Sequence, residues 1–185
     1  MSSVAHSSAH YGRRERKDMN ITKLSMLRDK NDIDGLIKTA TSYTAFFSRK
    51  KTLFIRRQAI KLLGETKDHK GINSLITLLQ YSDLSEEAAN ALVSIGSASI
   101  KPMIAALKVK DCNPSIGRNV IGTLARLKDS AVEPLIAILK EVEMPYFRRL
   151  AVEALSEIND PKTIKPLISV LNEEIEDKKS YGEAD

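Results

Sequence analysis

Three histidines, one cysteine and a run of cations are the residues in this chain of 185 whose chemistry would matter most. A zinc or iron site needs several His, Cys, Asp or Glu side chains at spacings that let them converge on one ion. His6 and His10 stand in a polar opening segment and His69 stands alone in the corner "KDHKG", so no such spacing occurs. No Gly-rich phosphate loop is present either. Cys112, in "KDCNPS", has no second thiol with which to bridge. Without a basic niche its thiolate fraction is expected to be ordinary, and its place between helices predicts an exposed, incidental thiol. The expectation is no catalytic residue, no metal and no cofactor, hence a non-enzymatic protein.

The cations are better organised. Between Thr41 and Gly64 lie Arg49, Lys50, Lys51, Arg56, Arg57 and Lys61, with no acid. Residues 1–64 hold 14 Lys/Arg against 5 Asp/Glu, a balance of +9, while residues 65–185 hold 15 against 19, a balance of −4. The basic character therefore belongs to the first third, where Arg13, Arg14, Arg16 and Lys17 add a basic arm. Tyr43, Phe46 and Phe47 precede the 49–51 cations directly, and aromatic residues beside cations suit a binding loop. The competing reading is that both Phe residues extend a helix and cover the end of the core.

What positions these residues is a repeat. "IKPMIAALK" from Ile100, "VEPLIAILK" from Val132 and "IKPLISVLN" from Ile164 recur at one even interval. Their apolar positions follow i, i+3, i+4, i+7, one stripe of a helix. The same stripe reads Ile72, Leu75, Ile76, Leu79 and, more weakly, Ile33, Leu36, Ile37, Ala40. Between these A stripes runs a B template, i, i+4, i+7, i+8, i+11. It reads Ile55, Ala59, Leu62, Leu63, Thr66; Leu84, Ala88, Ala91, Leu92, Ile95; Ile116, Val120, Thr123, Leu124, Leu127; and Phe147, Ala151, Ala154, Leu155, Ile158. Pro102, Pro134 and Pro166 sit near the starts of A helices, where a missing amide hydrogen costs little. The corners "GETKD", "RLKD" and "EIND" end in Asp, a helix-capping residue. The spacing predicts an all-α chain of stacked helix pairs, because one pair cannot bury both its stripes alone.

The reading along the chain is a disordered basic arm over 1–17, an α-solenoid over 18–172 and an acidic tail over 173–185. Residues 20–31 supply a capping helix through Ile21, Leu24 and Leu27, and the last A helix forms a lid. The first A stripe starts at Ile33 and its B stripe at Ile55. That interval is wider than Ile72 to Leu84, Ile100 to Ile116 or Val132 to Phe147, which marks the 41–52 stretch as an insertion. Apolar runs are short, so no membrane partner is expected. The opening residues lack the apolar core of a secretory signal, and with one cysteine this predicts a cytoplasmic address.

"FIRRQAIKLLGETKD" and "FRRLAVEALSEINDPKTIKPLISVL" resemble HEAT-like repeats of the phycobilin-lyase type over about residues 20–172. The resemblance implies an α-solenoid, a right-handed superhelix of about four helix pairs with caps at both ends, whose B helices line a concave face. It implies that Arg56 and Arg148 pair with a corner aspartate, Asp68, Asp129 or Asp160. Gly117 and Ser85 depart from the pattern where those arginines stand. Arg57, Arg118 and Arg149 fall one place on, toward the outward stripe. That stripe mixes charges, with Glu86, Glu153 and Glu157 interrupting the cations, which suits a protein partner better than a phosphate backbone. The expected function is a scaffold binding a protein through the concave face and the 41–52 insertion. Partner-binding candidates are Tyr43, Phe46, Phe47, Arg49, Lys50, Lys51, Arg57, Lys61, Arg118 and Arg149. Nucleic-acid binding through the basic third is the first alternative. The second, implied by the resemblance alone, is an auxiliary or lyase-like subunit handling a tetrapyrrole-type cofactor.

Overall fold

A computed structural model describes residues 22–42, 49–109, 112–142, 144–158, 160–170 and 172. The expected arm and tail, Ile21, Leu171, Tyr43, Phe46, Phe47 and the Arg49 side chain lie outside the described residues. Every regular element among the described residues is helical. In order these are α1 (22–29), α2 (Ile33–Thr41), α3 (Arg49–Thr66), α4 (Ile72–Leu78), α5 (Ser85–Ile95), α6 (Ile100–Leu107), α7 (Pro114–Ala125), α8 (Val132–Glu141), α9 (Pro145–Ile158) and α10 (164–170). The fold is an all-α solenoid of helix pairs, as the stripes require. The chain divides into two compact units, Met1–Ile95 and Gly96–Asp185.

In the first unit α2 pairs with α3 and α4 with α5, and the two pairs stack through α3 against α5. In the second unit α6 pairs with α7 and α8 with α9, stacked through α7 against α9. The A stripes form the floor of each unit. Ile72, Leu75, Ile76 and Leu79 are buried, as are Val132, Leu135, Ile136 and Leu139. A fully buried Leu or Ile contributes about 1.5–3 kcal/mol, so these stripes dominate the stability of each pair. Leu24 is buried in α1, as expected of a cap.

The B stripes are wider than the template. Ile60 in α3 and Ile121 in α7 are almost wholly buried, although the template skips both. In α3 the template residues Ile55 and Leu62 are only half-buried. A B helix touches its own A helix and the neighbouring B helix, and so needs a second row of contacts. The A stripe of α10 also differs from expectation. Ile164 is 56% and Ile168 51% exposed, because among the described residues no B helix follows to cover them.

The corners share one device. Lys67, Gly96 and Lys128, each one place after a B stripe, adopt positive φ of 55°, 80° and 51°. This left-handed residue stops the B helix and turns the chain into a short 3-10 segment before the next A helix. The residue entering each A helix after the first is small and buried: Gly71, Ser99, Ala131 and Thr163. The Ser99 and Thr163 hydroxyls donate to the carbonyls of Gly96 and Asp160 at 2.7 Å, which makes their burial tolerable. The stretch 85–107 is apolar and long enough by composition to cross a membrane. It is, however, α5, a 3-10 turn containing left-handed Gly96, and α6, whose apolar positions Ala88, Leu92, Ile100 and Met103 are core residues.

The B helices approach each other closely at two glycines. A Cβ on Gly64 would lie 2.7 Å from the Ala91 backbone, and one on Gly117 2.2 Å from the Phe147 ring. Gly117 thus has a physical reason to depart from the arginine of the family pattern: the Phe147 ring occupies its space. Gly122, further along the same helix, meets nothing within 4 Å. Gly64→Ala and Gly117→Ala should each destabilise by about 1–3 kcal/mol through overpacking. Gly122→Ala should stabilise by about 0.5–1 kcal/mol through helix propensity alone. Urea denaturation of the three variants checks the contrast.

Candidate partner-binding surface

Two B helices side by side leave a groove between their outward rows, and each unit has one. In the first unit the groove between α3 and α5 encloses about 560 Å³. Its floor is small, Gly64, Ala91 and Ser94, and the exposed Phe54 stands at its lip. The Ser94 hydroxyl donates to the Gly64 carbonyl at 3.2 Å, tying the helices together at the floor. In the second unit the groove between α7 and α9 encloses about 580 Å³, with Gly122, Ala125 and Ala154 on its floor. Arg118 and Arg126 stand on the α7 wall, Glu153 and Glu157 on the α9 wall.

The arginine two places after the first B-template residue holds the two helices together in both units, by different partners. Arg57 donates to the Asp83 carbonyl through Nη2 at 2.9 Å, and its Nε lies 2.9 Å from the Glu87 carboxylate. Arg118 Nε donates to the Tyr146 hydroxyl at 2.7 Å. Asp83 and Tyr146 are equivalent residues, each preceding the first apolar position of its B stripe. Leu150 stands where Glu87 stands, so Arg118 meets a neutral hydroxyl where Arg57 meets a carboxylate. A second guanidinium, Arg149, lies 5.6 Å from the Tyr146 ring centre, and Arg118 lies 5.7 Å from it. Tyr146 itself leans on the buried Phe147, ring centres 5.7 Å apart.

The other candidates are scattered in space or prove to be engaged. Lys50 is exposed on the first turn of α3, and Lys51 is half-buried and engaged in an interaction. Lys61 lines the first groove, 3.9 Å from Glu65. Arg149 lies 3.8 Å from Glu153, a pair in which both side chains are well exposed. Exposed pairs of this kind contribute little to stability.

Arg56 is not paired with a corner aspartate. Its Nε donates to the Ala40 carbonyl at 2.7 Å, on the last turn of α2, and its guanidinium lies over Tyr81. The reason is local. Asp68 and Asp160 accept from the Lys70 and Lys162 amides at 2.8 Å, capping the 3-10 corners, and so face their own turns. Arg148 is half-buried and, among the described residues, forms no ion pair with Asp68, Asp129 or Asp160; Asp129 is exposed.

Cys112 is buried, contrary to the exposed thiol expected from its loop position. It precedes the Asn113 cap of α7, and its thiol donates weakly to the Asn113 carbonyl at 3.7 Å. Burial pushes the thiol above its ordinary range, and the Gly117 amide offsets part of that shift. Among the described residues no three His, Cys, Asp or Glu side chains are grouped to hold a metal ion.

Sequence reasoning missed Tyr146, Phe54 and Glu87. The available signal was position: Tyr146 and Asp83 immediately precede a B stripe, where the Tyr146 hydroxyl and the Asp83 carbonyl each meet an arginine of the neighbouring B helix. Residues 100–179 match the family profile of HEAT repeats. No curated protein matches the sequence.

The Cys112 geometry predicts slow alkylation by iodoacetamide at pH 8 in the native protein and ordinary rates in guanidinium. Native and denatured rates of equal size would contradict the burial. Because folding raises this pKa, the thiol's contribution to stability is full at neutral pH. It fades once pH passes the range where the unfolded thiol ionises and is lost as pH rises through the higher folded value.

Proposed function

We propose, from the premise that the chain is a HEAT-like repeat protein, that it binds another protein through its B-helix grooves and performs no chemistry itself. HEAT repeats generally serve as protein-interaction scaffolds. The observation that carries the reading is the groove between α7 and α9. Its floor is small and open at Gly122, and its walls bear opposite charge. The small residues Gly122, Ala125 and Ala154 leave room between the apolar Ile121, Leu150 and Ile158 for a helix or an extended segment, and walls of opposite sign set its orientation. The first-unit groove repeats the plan with Phe54 as an aromatic anchor at its edge. The partner is met in a reducing compartment, in keeping with a lone buried thiol.

Nucleic-acid binding is less well supported. A phosphate-tracking surface needs cations in register and free of competing carboxylates. Arg57 lies against Glu87 and Lys61 near Glu65, so two cations of the basic stretch already have acidic neighbours.

The test is affinity capture from native extract with the full chain and with Gly122→Trp, which puts a bulky side chain into the groove from a position where a Cβ meets nothing within 4 Å. The expected result is a stoichiometric protein retained by the parent and lost by the variant at unchanged melting temperature. Capture of nothing, capture indifferent to Gly122→Trp, or capture abolished by nuclease would each contradict the reading.

A further inference from the structure

The two grooves follow one plan, yet their charge is settled differently at the arginine. In the first unit Arg57 is neutralised within the fold by Glu87 at 2.9 Å. In the second unit the equivalent Arg118 has its Nε on a neutral hydroxyl, and Arg149 shares the same ring. The one carboxylate in an ion pair with this cluster among the described residues is Glu153, 3.8 Å from Arg149. Among the described residues, two guanidiniums around one tyrosine thus have one loosely held counter-charge. Arg118 borders the α7/α9 groove, while Tyr146 and Arg149 border a second hollow of about 620 Å³ between α9 and α10, lined by Val152, Leu167 and Val170. The trio thus stands where a polar groove and an apolar hollow approach one another.

We propose that Arg118, Tyr146 and Arg149 form an anchor for a carboxylate side chain of an acidic peptide segment, whose neighbouring apolar residue enters the α9/α10 hollow. The proposal rests on the protein-binding reading and names the partner's chemistry. Charge complementarity carries it. A planar guanidinium receives a carboxylate through paired N–H donors, and the fixed Nε–hydroxyl bond orients the Arg118 fork before the ligand arrives. Tyr and Arg are also the side chains on which interface energy concentrates. The α9 acids Glu153 and Glu157 lie further along the groove, so the segment's acidic end is directed to the trio and a basic residue toward those glutamates. A uniformly anionic strand would meet repulsion there, which disfavours nucleic acid.

The experiment is fluorescence anisotropy on the full chain with three labelled probes. They are a helical peptide bearing Glu and Leu on one face, the same peptide with Lys for Glu, and a short single-stranded DNA. The expected result is salt-sensitive binding of the Glu peptide, weakened roughly tenfold or more in Arg118→Ala/Arg149→Ala and in Arg118→Gln/Arg149→Gln. The Gln pair keeps the polar stems should the Ala pair fold poorly. Tyr146→Phe, which keeps the ring and removes the tether, should weaken binding by less than the double variants. Lys140→Ala on α8 should bind as the parent does. Equal binding of the Lys peptide, parent-like affinity in both double variants, or tighter binding of the DNA through the same arginines would overturn the anchor. Should capture by the parent depend on Gly122 while the Glu peptide is ignored, the scaffold reading stands and only the anchor falls.

Discussion

Each helix pair in this protein carries more apolar surface than the pair itself can hide. The A stripe is covered by its own B helix, but the B helix retains a second row that only a neighbouring B helix can take. Burying that row demands close approach, and close approach demands small residues. Gly64 against Ala91 and Gly117 against the Phe147 ring are the two places where this demand is sharpest. The consequence reaches the surface. Helices packed so closely at the floor leave a groove above, walled by whatever polar residues the two outward rows present.

The A helices were the most legible part of the fold. Their stripes involve only local spacing and recur along the chain, and Val132, Leu135, Ile136 and Leu139 are buried as the periodicity requires. The B helices were legible in existence and less so in orientation. Ile60 and Ile121 are buried by contacts between pairs, and a helix's own periodicity does not encode which of two neighbours a residue meets. The residues 71, 99, 131 and 163 were readable in hindsight, since every A stripe after the first is preceded by Gly, Ser, Ala or Thr. The small side chain there lets the corner fold onto the core.

The candidate surface was legible as a set of residue types and hidden as an arrangement. Arg57, Arg118 and Arg149 could be placed on an outward row from the template alone. That Arg57 is neutralised by Glu87 while Arg118 reaches Tyr146 depends on contacts between one B helix and the next, which no local pattern contains. Arg56 departs from expectation for the opposite reason. The corner aspartates Asp68 and Asp160 bond to nearby amides of their own turns, and a local cap of that kind outcompetes a distant guanidinium. Cys112 likewise looked like a loop thiol, yet the loop is drawn under the start of α7 by the Asn113 cap.

If the outward rows of the B helices are the working surface, a partner must shield them and leave the covered A helices α6 and α8 as they were. Hydrogen exchange with mass spectrometry, run on the chain alone and with a captured partner, measures this directly. Added protection should concentrate in 114–126 and 145–158, with α6 and α8 unchanged. Protection confined to the A helices, or to the basic stretch before Ile55, would contradict it.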